Sequence, residues 1–321
     1  MAGYNKRVTS DLKTRSKRFE RATAPPSFQL TLRDLSLLSH LARHRFASSA
    51  HLVALDGGSG QNVLRTLRVL FDHGYLDRVR PERVGESPRP FVYALGKKGA
   101  RALRQHGHEI DPNIDWTEKN KRAGGVFIEH TLELADFMIG LEVACRSRAD
   151  ISLIREHEIL ANAPEKTRTG REPLRWQVDK VVMGKRETFS VVPDGLFGLA
   201  FADGTAAYFI LEIDRGTIPL TRTDVQGTPA WRKNIAYKLA TYYEGWKAGR
   251  HKQQLGVKQV RVAMVTTSPE RVKNMIAAVD EITEGKGTNF FAFVDRARLL
   301  VSNPISATWI TGKGKAVRLE D

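Results

Sequence analysis

Val191-Val192-Pro193-Asp194-Gly195 and Tyr208-Phe209-Ile210-Leu211-Glu212-Ile213-Asp214 are two β-type runs joined through a tip at Ala202-Asp203-Gly204. A three-residue loop with Gly204 in the left-handed conformation sets Phe201 opposite Thr205 and Asp194 opposite Glu212. Side chains alternate along a strand, so Glu212 and Asp214 share one face, while Phe209, Leu211 and Ile213 occupy the other. Asp194, Glu212 and Asp214 then crowd one patch at the end of a strongly apolar strand. Carboxylates that close repel one another unless a cation holds them. Such oxygen ligands suit Mg²⁺ or Mn²⁺. A two-residue turn would instead put Asp194 and Glu212 on opposite faces and remove the site.

The elements around this hairpin alternate. A helix is expected over about 126–147 and strands near 151–160 and 174–182. The hairpin spans 188–214 and a helix 230–248. A strand at 259–266, a helix at 269–283 and a strand at 289–294 follow. The fold class is therefore α/β, with a central mixed sheet and helices on its faces. On the 230–248 helix, Trp231, Ile235, Lys238, Tyr242 and Gly245 fall on one side. Lys238 is thus placed on the face that packs on the sheet, where a lysine is costly unless paired. It either reaches the carboxylate patch or snorkels outward. Tyr242 reads as packing, and Arg215 as a candidate phosphate contact.

N-terminal to this domain the pattern is different. Leu32, Leu35, Leu38 and Leu41 mark a helix, a second is expected at 47–55, and Ser59 caps a third at 60–73 that ends at Gly74. Two β-type runs, Tyr75 to Arg80 and Phe91 to Leu95, bracket a loop from Pro81 to Pro90, and a helix closes the module at 97–106. This is the order of a winged helix-turn-helix. On the third helix Val63, Leu64, Leu67, Leu70 and Phe71 form the apolar stripe, leaving Asn62, Arg65, Thr66, Arg68 and Asp72 on the free face. Arg reaches guanine and Asn reaches adenine in the major groove. The wing adds Arg78, Arg80, Arg83 and Arg89 for backbone or minor-groove contact. A protein-docking role is the alternative for such a module.

The charge distribution supports nucleic acid as the partner. Net charge is +15, and residues 1–110 hold 20 Lys plus Arg against 9 Asp plus Glu. That concentration attracts phosphate backbones. Hydrophobic content of 41% suits ordinary globular cores. No apolar run is long enough to span a bilayer. A basic N-terminus without an apolar segment is not a secretory signal. Cys145 alone cannot form an internal disulfide or a cysteine zinc cage. A cytoplasmic protein is expected, with no membrane partner. The expected organisation is a basic disordered arm (1–27), a winged-helix DNA-binding domain (28–110), a linker (111–125), the α/β domain (126–300) and a basic tail (301–321).

Pro193-Asp194 followed by a hairpin and Glu212-x-Asp214 resembles the Pro-Asp…(Asp/Glu)-x-Lys signature of the restriction-endonuclease-like superfamily. The whole chain, winged helix plus this domain, resembles the bacterial replication-relaxation family associated with plasmid replication and mobilisation. The resemblance covers roughly residues 28–295, and its domain order is more specific than the short acidic motif. It implies Asp194 and Glu212 as metal-binding acids, with Glu133 as an additional acid and His130 as another group for the cleft. Asp214 stands where the catalytic lysine belongs, and Lys238 is the candidate replacement, since some superfamily members carry the lysine on this helix. Two readings stay open. One is a double-stranded DNA-binding factor of mobile-element replication or mobilisation with Mg²⁺- or Mn²⁺-dependent nicking, meeting relaxosome or replication proteins. The other is a transcriptional regulator whose inactive nuclease-like domain mediates homodimerisation or partner binding. No organic cofactor is expected in either.

Overall fold

Leu35, Leu38 and Leu41 are all buried along α1 (Leu32–His44) of the computed structural model, which describes residues 18–81, 90–182, 185–218 and 234–321. Thr31 opens α1 with a capping box: its hydroxyl accepts from the Asp34 amide, and the Asp34 carboxylate accepts from the Thr31 amide. The chain divides between residues 132 and 133 into two units.

The first unit continues with β1 (Phe46–Ser48), α2 (Ser49–Asp56), α3 (Gly60–Asp72), β2 (Leu76–Val79), β3 (Val92–Leu95), α4 (Lys97–Gln105) and α5 (Trp116–Lys121). Its strands pair antiparallel in the order β1-β3-β2, an arrangement compatible with a winged helix-turn-helix. β1 is absent from the sequence reading, because three residues are too short to display a strand period. α3 stops where expected. Gly74 takes φ +82°, the Tyr75 amide bonds the Leu70 carbonyl and the Gly74 amide bonds that of Phe71, which satisfies the last carbonyls of the helix.

Two segments expected as linker and arm make specific contacts, and the linker also contains a short helix. Within the presumed linker, Asp115 caps α5, and the buried Asn120 donates to the Asp77 carboxylate at 2.8 Å and the Leu95 carbonyl at 2.9 Å. Of the presumed arm, Phe19 packs edge-on against Phe91. Arg21 donates to the Phe71 and Leu76 carbonyls and pairs with Asp77. Polar composition conceals both, because the ordering comes from side-chain hydrogen bonds and not from apolar periodicity. Residues 1–17 lie outside the described residues.

The division between units falls within α6 (Gly125–Arg146). The second unit holds β4 (Ile151–Arg155), α7 (Glu156–Ala161), α8 (Glu165–Arg168), β5 (Trp176–Val182), β6 (Lys185–Val191), β7 (Gly195–Phe201), β8 (Ala206–Ile213), α9 (Ile235–Lys247), α10 (Arg250–Leu255) and β9 (Arg261–Thr266). It ends with α11 (Pro269–Ile282), β10 (Phe291–Asp295), α12 (Arg296–Val301), β11 (Trp309–Thr311) and β12 (Ala316–Val317). A seven-stranded mixed sheet runs β12-β11-β10-β9-β8-β7-β4, with β9 parallel to β8 and β10 and the remaining pairs antiparallel.

One sheet face packs Leu196, Ile210, Met264 and Phe293 under Leu239 and Tyr242 of α9 and Met275 and Val279 of α11. The other packs Phe197, Phe209, Leu211 and Val265 against Phe137 and Leu141 of α6 and against Trp309 and Leu319. β8 and β9 are covered on both sides, which accounts for their continuous apolar runs. The stretch 301–321, expected as a tail, supplies β11 and β12. Its buried Trp309 and Leu319 outweigh the exposed Lys313 and Lys315 at the turn. The expected 188–214 hairpin is divided: β6 pairs with β5 in a separate two-stranded sheet, and Pro193, which has no amide hydrogen to donate, stands at the break before β7.

Candidate functional site

The β7–β8 hairpin has the expected register. The Phe201 amide donates to the Thr205 carbonyl at 2.9 Å, Gly204 sits at φ +83°, and Gly195 pairs with Leu211. Asp194 therefore arrives beside the end of β8. Its amide donates to the Leu211 carbonyl at 3.1 Å, and its carboxylate accepts from the Ile213 amide at 2.8 Å. The side chain thus stands in for the next ladder carbonyl, which Pro193 and the strand break have displaced.

Glu212 points to the α9 face and is 2% exposed. Lys238 Nζ donates to its Oε2 at 2.6 Å, and Tyr242 Oη donates to its Oε1 at 2.5 Å. Lys238 and Tyr242 are one helical turn apart, so both reach the same carboxylate. Burial pushes the Glu212 carboxyl above its ordinary value. The Lys238 charge and both hydrogen bonds pull it back, while neighbouring Asp194 adds to the rise. Burial works against the Lys238 ammonium, but the combined pull of Glu212, Asp194 and Asp214 raises its pKa above the ordinary lysine value. Tyr242 is held well above its ordinary value by burial and by the Glu212 charge, and remains a neutral donor.

Asp214 shares the Glu212 face but is engaged elsewhere. Arg271 of α11 grips both its oxygens, through Nε and through Nη2 at 2.9 Å, and Thr266 Oγ1 adds a third bond at 2.5 Å. That engagement leaves the expectation of Asp214 as a metal ligand without support. Glu212 is engaged in the same way, by Lys238 and Tyr242. Asp194 and Glu212 have the oxygen chemistry of a hard divalent cation site, but a cation there would take the place of the Lys238 ammonium on Glu212. Glu133 is bonded by Arg296 through two bonds, at 2.8 and 2.9 Å, and pairs with Arg215 Nε at 3.1 Å, so it forms an ion-pair cluster of its own. Arg215, read as a phosphate contact, is thereby bound to a carboxylate. His130 belongs to the first unit. Trp231 lies outside the described residues.

Sequence reasoning missed Tyr242, Thr266 and Arg271. The four-residue spacing from Lys238 was the available signal for Tyr242. Nothing local marks Arg271, which lies far from Asp214 in the chain.

In the first unit, α3 buries Val63, Leu67, Leu70 and Phe71, and leaves Asn62 and Arg65 exposed and Thr66 half-buried. Leu64, expected in the apolar stripe, is 46% exposed. Arg68 is paired with Asp72 at 2.7 Å. Arg78, expected on the wing surface, lies over the rings of Phe91 at 4.0 Å and Phe71 at 4.4 Å and donates to Tyr93 Oη at 3.1 Å. Burial lowers its pKa from the ordinary arginine value. It fixes the sheet to α3 instead of projecting outward. Arg80 covers Phe19 at 4.3 Å. Arg83 and Arg89 lie outside the described residues.

Among the described residues no helix is long and apolar enough to cross a membrane. No curated protein matches the chain at a significant level. A family model described as replication-relaxation matches residues 38–261, well over half of the chain.

Proposed function

Because the chain belongs to the replication-relaxation family, we propose that it binds double-stranded DNA in the replication or mobilisation of plasmids and related mobile elements, reading the duplex with α3. The observation that carries this reading is the division of α3. Its apolar face is buried in a helical unit with an antiparallel sheet, while Asn62 and Arg65 are exposed and suited to base edges. The excess of positive charge in residues 1–110 supplies the sequence-independent attraction. Gel retardation of duplex DNA by wild-type protein and by Asn62→Ala/Arg65→Ala tests it. Weakened retardation in the variant supports the reading, and unchanged retardation removes α3 from the interface.

A second reading, metal-dependent nicking, is favoured by the 2.6 Å bond between Lys238 and Glu212 beside Asp194. This trio supplies the lysine that Asp214 replaces in the signature. Asp194 and Glu212 would hold Mg²⁺ or Mn²⁺, which when bound supplies an activated water and neutralises phosphate charge. Lys238 would orient the attacking group at its ammonium, and burial of Glu212 would keep bulk water from the patch. The test is supercoiled plasmid incubated with wild-type and Glu212→Ala protein, with either metal and with chelator. Metal-dependent nicks by the wild type that vanish in a variant whose circular dichroism is that of the folded wild type establish cleavage. Retarded but intact DNA in every lane leaves a DNA-binding regulator whose second unit serves dimer or partner contacts.

A further inference from the structure

The second unit carries a basic and aromatic groove remote in sequence from the hairpin acids. α9 ends in Tyr243, Trp246 and Lys247. The Trp246 ring stacks on Phe290 at 5.1 Å and 20°, and the Tyr243 ring lies against Trp246 at 5.9 Å and 26°. Around this ladder stand Lys252 of α10, Lys258 in the α10–β9 connection, Arg261 at the start of β9 and Lys313 in the β11–β12 turn. Lys252, Lys258 and Lys313 are exposed and Arg261 is half-buried. Among the described residues none of these four cations is paired with a carboxylate. The acidic groups at the margin are Glu244, already held by Lys247 at 3.0 Å, and Asp321, which lines an adjoining cavity beside Arg261.

Four cations outside any ion pair on one concave surface repel one another, an arrangement that a bound polyanion relieves. A duplex needs only the charges. The aromatic ladder adds a π surface, and the Tyr243 ring is covered by the exposed Lys247 ammonium at 5.0 Å, a contact that gives way readily to a nucleobase. His251 lines the same groove at 5% exposure. Its Nε2 bonds the Lys258 carbonyl at 3.1 Å, and its Nδ1 is buried without a hydrogen-bond partner among the described residues. A buried polar atom of that kind is ordinarily satisfied, by a ligand or by water.

We propose that this groove binds single-stranded DNA, with phosphates on Lys252, Lys258, Arg261 and Lys313 and a base stacked on the Tyr243–Trp246 ladder. The inference rests on the reading of the chain as a DNA-associated protein, and adds a strand-binding surface distinct from α3. A protein that acts where a duplex opens would hold the duplex with one unit and a released strand with the other.

Fluorescence anisotropy of the full chain with labelled oligothymidylate of about 20 nucleotides, and with a duplex of equal length, tests it. Lys252→Ala/Lys313→Ala changes only exposed side chains. It is expected to weaken single-strand binding about tenfold and to reduce the salt slope by about 1.4, with duplex binding unchanged. Tyr243→Ala is expected to weaken single-strand binding and Tyr243→Phe to preserve it. Asn62→Ala/Arg65→Ala is expected to do the reverse of the lysine variant, weakening duplex binding alone. Equal single-strand affinity in wild type and the lysine variant overturns the proposal, as does an equal loss for strand and duplex, which would make the groove a backbone contact for either form. If the lysine variant loses the strand while the α3 variant keeps the duplex, the groove stands and the α3 reading falls.

Discussion

Lys238 on α9 meets Glu212 on β8 across 2.6 Å, at the end of an apolar strand where Glu212 is 2% exposed. A carboxylate so placed is costly without a partner, and the ammonium is its counter-charge. The pair therefore holds α9 to the sheet whatever else it does, and its removal is expected to register in stability before it registers in any activity.

Lys238→Ala is expected to lower unfolding stability by about 3 kcal/mol at neutral pH, read by urea denaturation. Tyr242→Phe removes a bond to the same carboxylate and is expected to cost about 2 kcal/mol. If both variants unfold like wild type, the carboxylate is solvated and not buried.

The pair also sets a pH dependence. The Lys238 pKa is raised above its ordinary 10.5, so its contribution is fully present below that pH and is lost as pH rises through the raised value. Glu212 is raised above 4.5, so the fold is favoured below that pH and the contribution is lost as pH rises through the raised value. Lys238→Ala removes a pull that lowers the Glu212 value. The variant's deficit is therefore expected to be largest between neutral pH and the ordinary lysine value, and to shrink both on acidification and as Lys238 of the wild type loses its proton, followed as thermal midpoint against pH.

Arg271→Met leaves Asp214 buried without its guanidinium and is expected to cost about 3–5 kcal/mol. Adding Asp214→Asn should recover much of that loss, so a double-mutant cycle reads the coupling. Asp214→Lys, which restores the signature lysine, is expected to destabilise the chain by setting a second cation against Arg271, and to yield no gain in nicking.

On the first unit, Arg65→Ala is expected to weaken duplex binding about tenfold without changing the thermal midpoint. Arg78→Ala should show the opposite balance, since its guanidinium lies over Phe91 and Phe71. Paired binding and melting measurements on the two variants separate a surface contact from a packing one.

Gly245→Ala is expected to destabilise the second unit although alanine is the better helix former by about 1 kcal/mol. A Cβ there would fall 2.0 Å from Trp176 Nε1, inside the packing around Tyr242, and such overpacking costs about 1–3 kcal/mol. A raised urea midpoint would mean that Trp176 swings aside freely.

Much of this chain is read from local pattern. The leucine spacing of α1, the glycine stop of α3 and the Gly204 tip each follow from backbone preferences acting over a few residues, and they hold in the structure. The register that brings Asp194 beside Glu212 follows from that tip alone, because one turn type sets the facing of every pair behind it. Placing Lys238 on the sheet-facing side of its helix needed only the helical period.

What tertiary structure decided was the partner of each charged group. Asp214 lies two residues from Glu212 on the same face, yet Arg271 from a later helix claims it while Lys238 holds Glu212. Arg78 belongs by sequence to an exposed wing, but aromatic rings from α3 and from the start of β3 enclose it. The basic C-terminal stretch becomes two strands because Trp309 and Leu319 find an apolar face to cover. Backbone conformation is governed by neighbours in the chain, and so it is legible there. The pairing of buried charges depends on which distant side chains the packed sheet brings within about 3 Å, and no local pattern contains that distance.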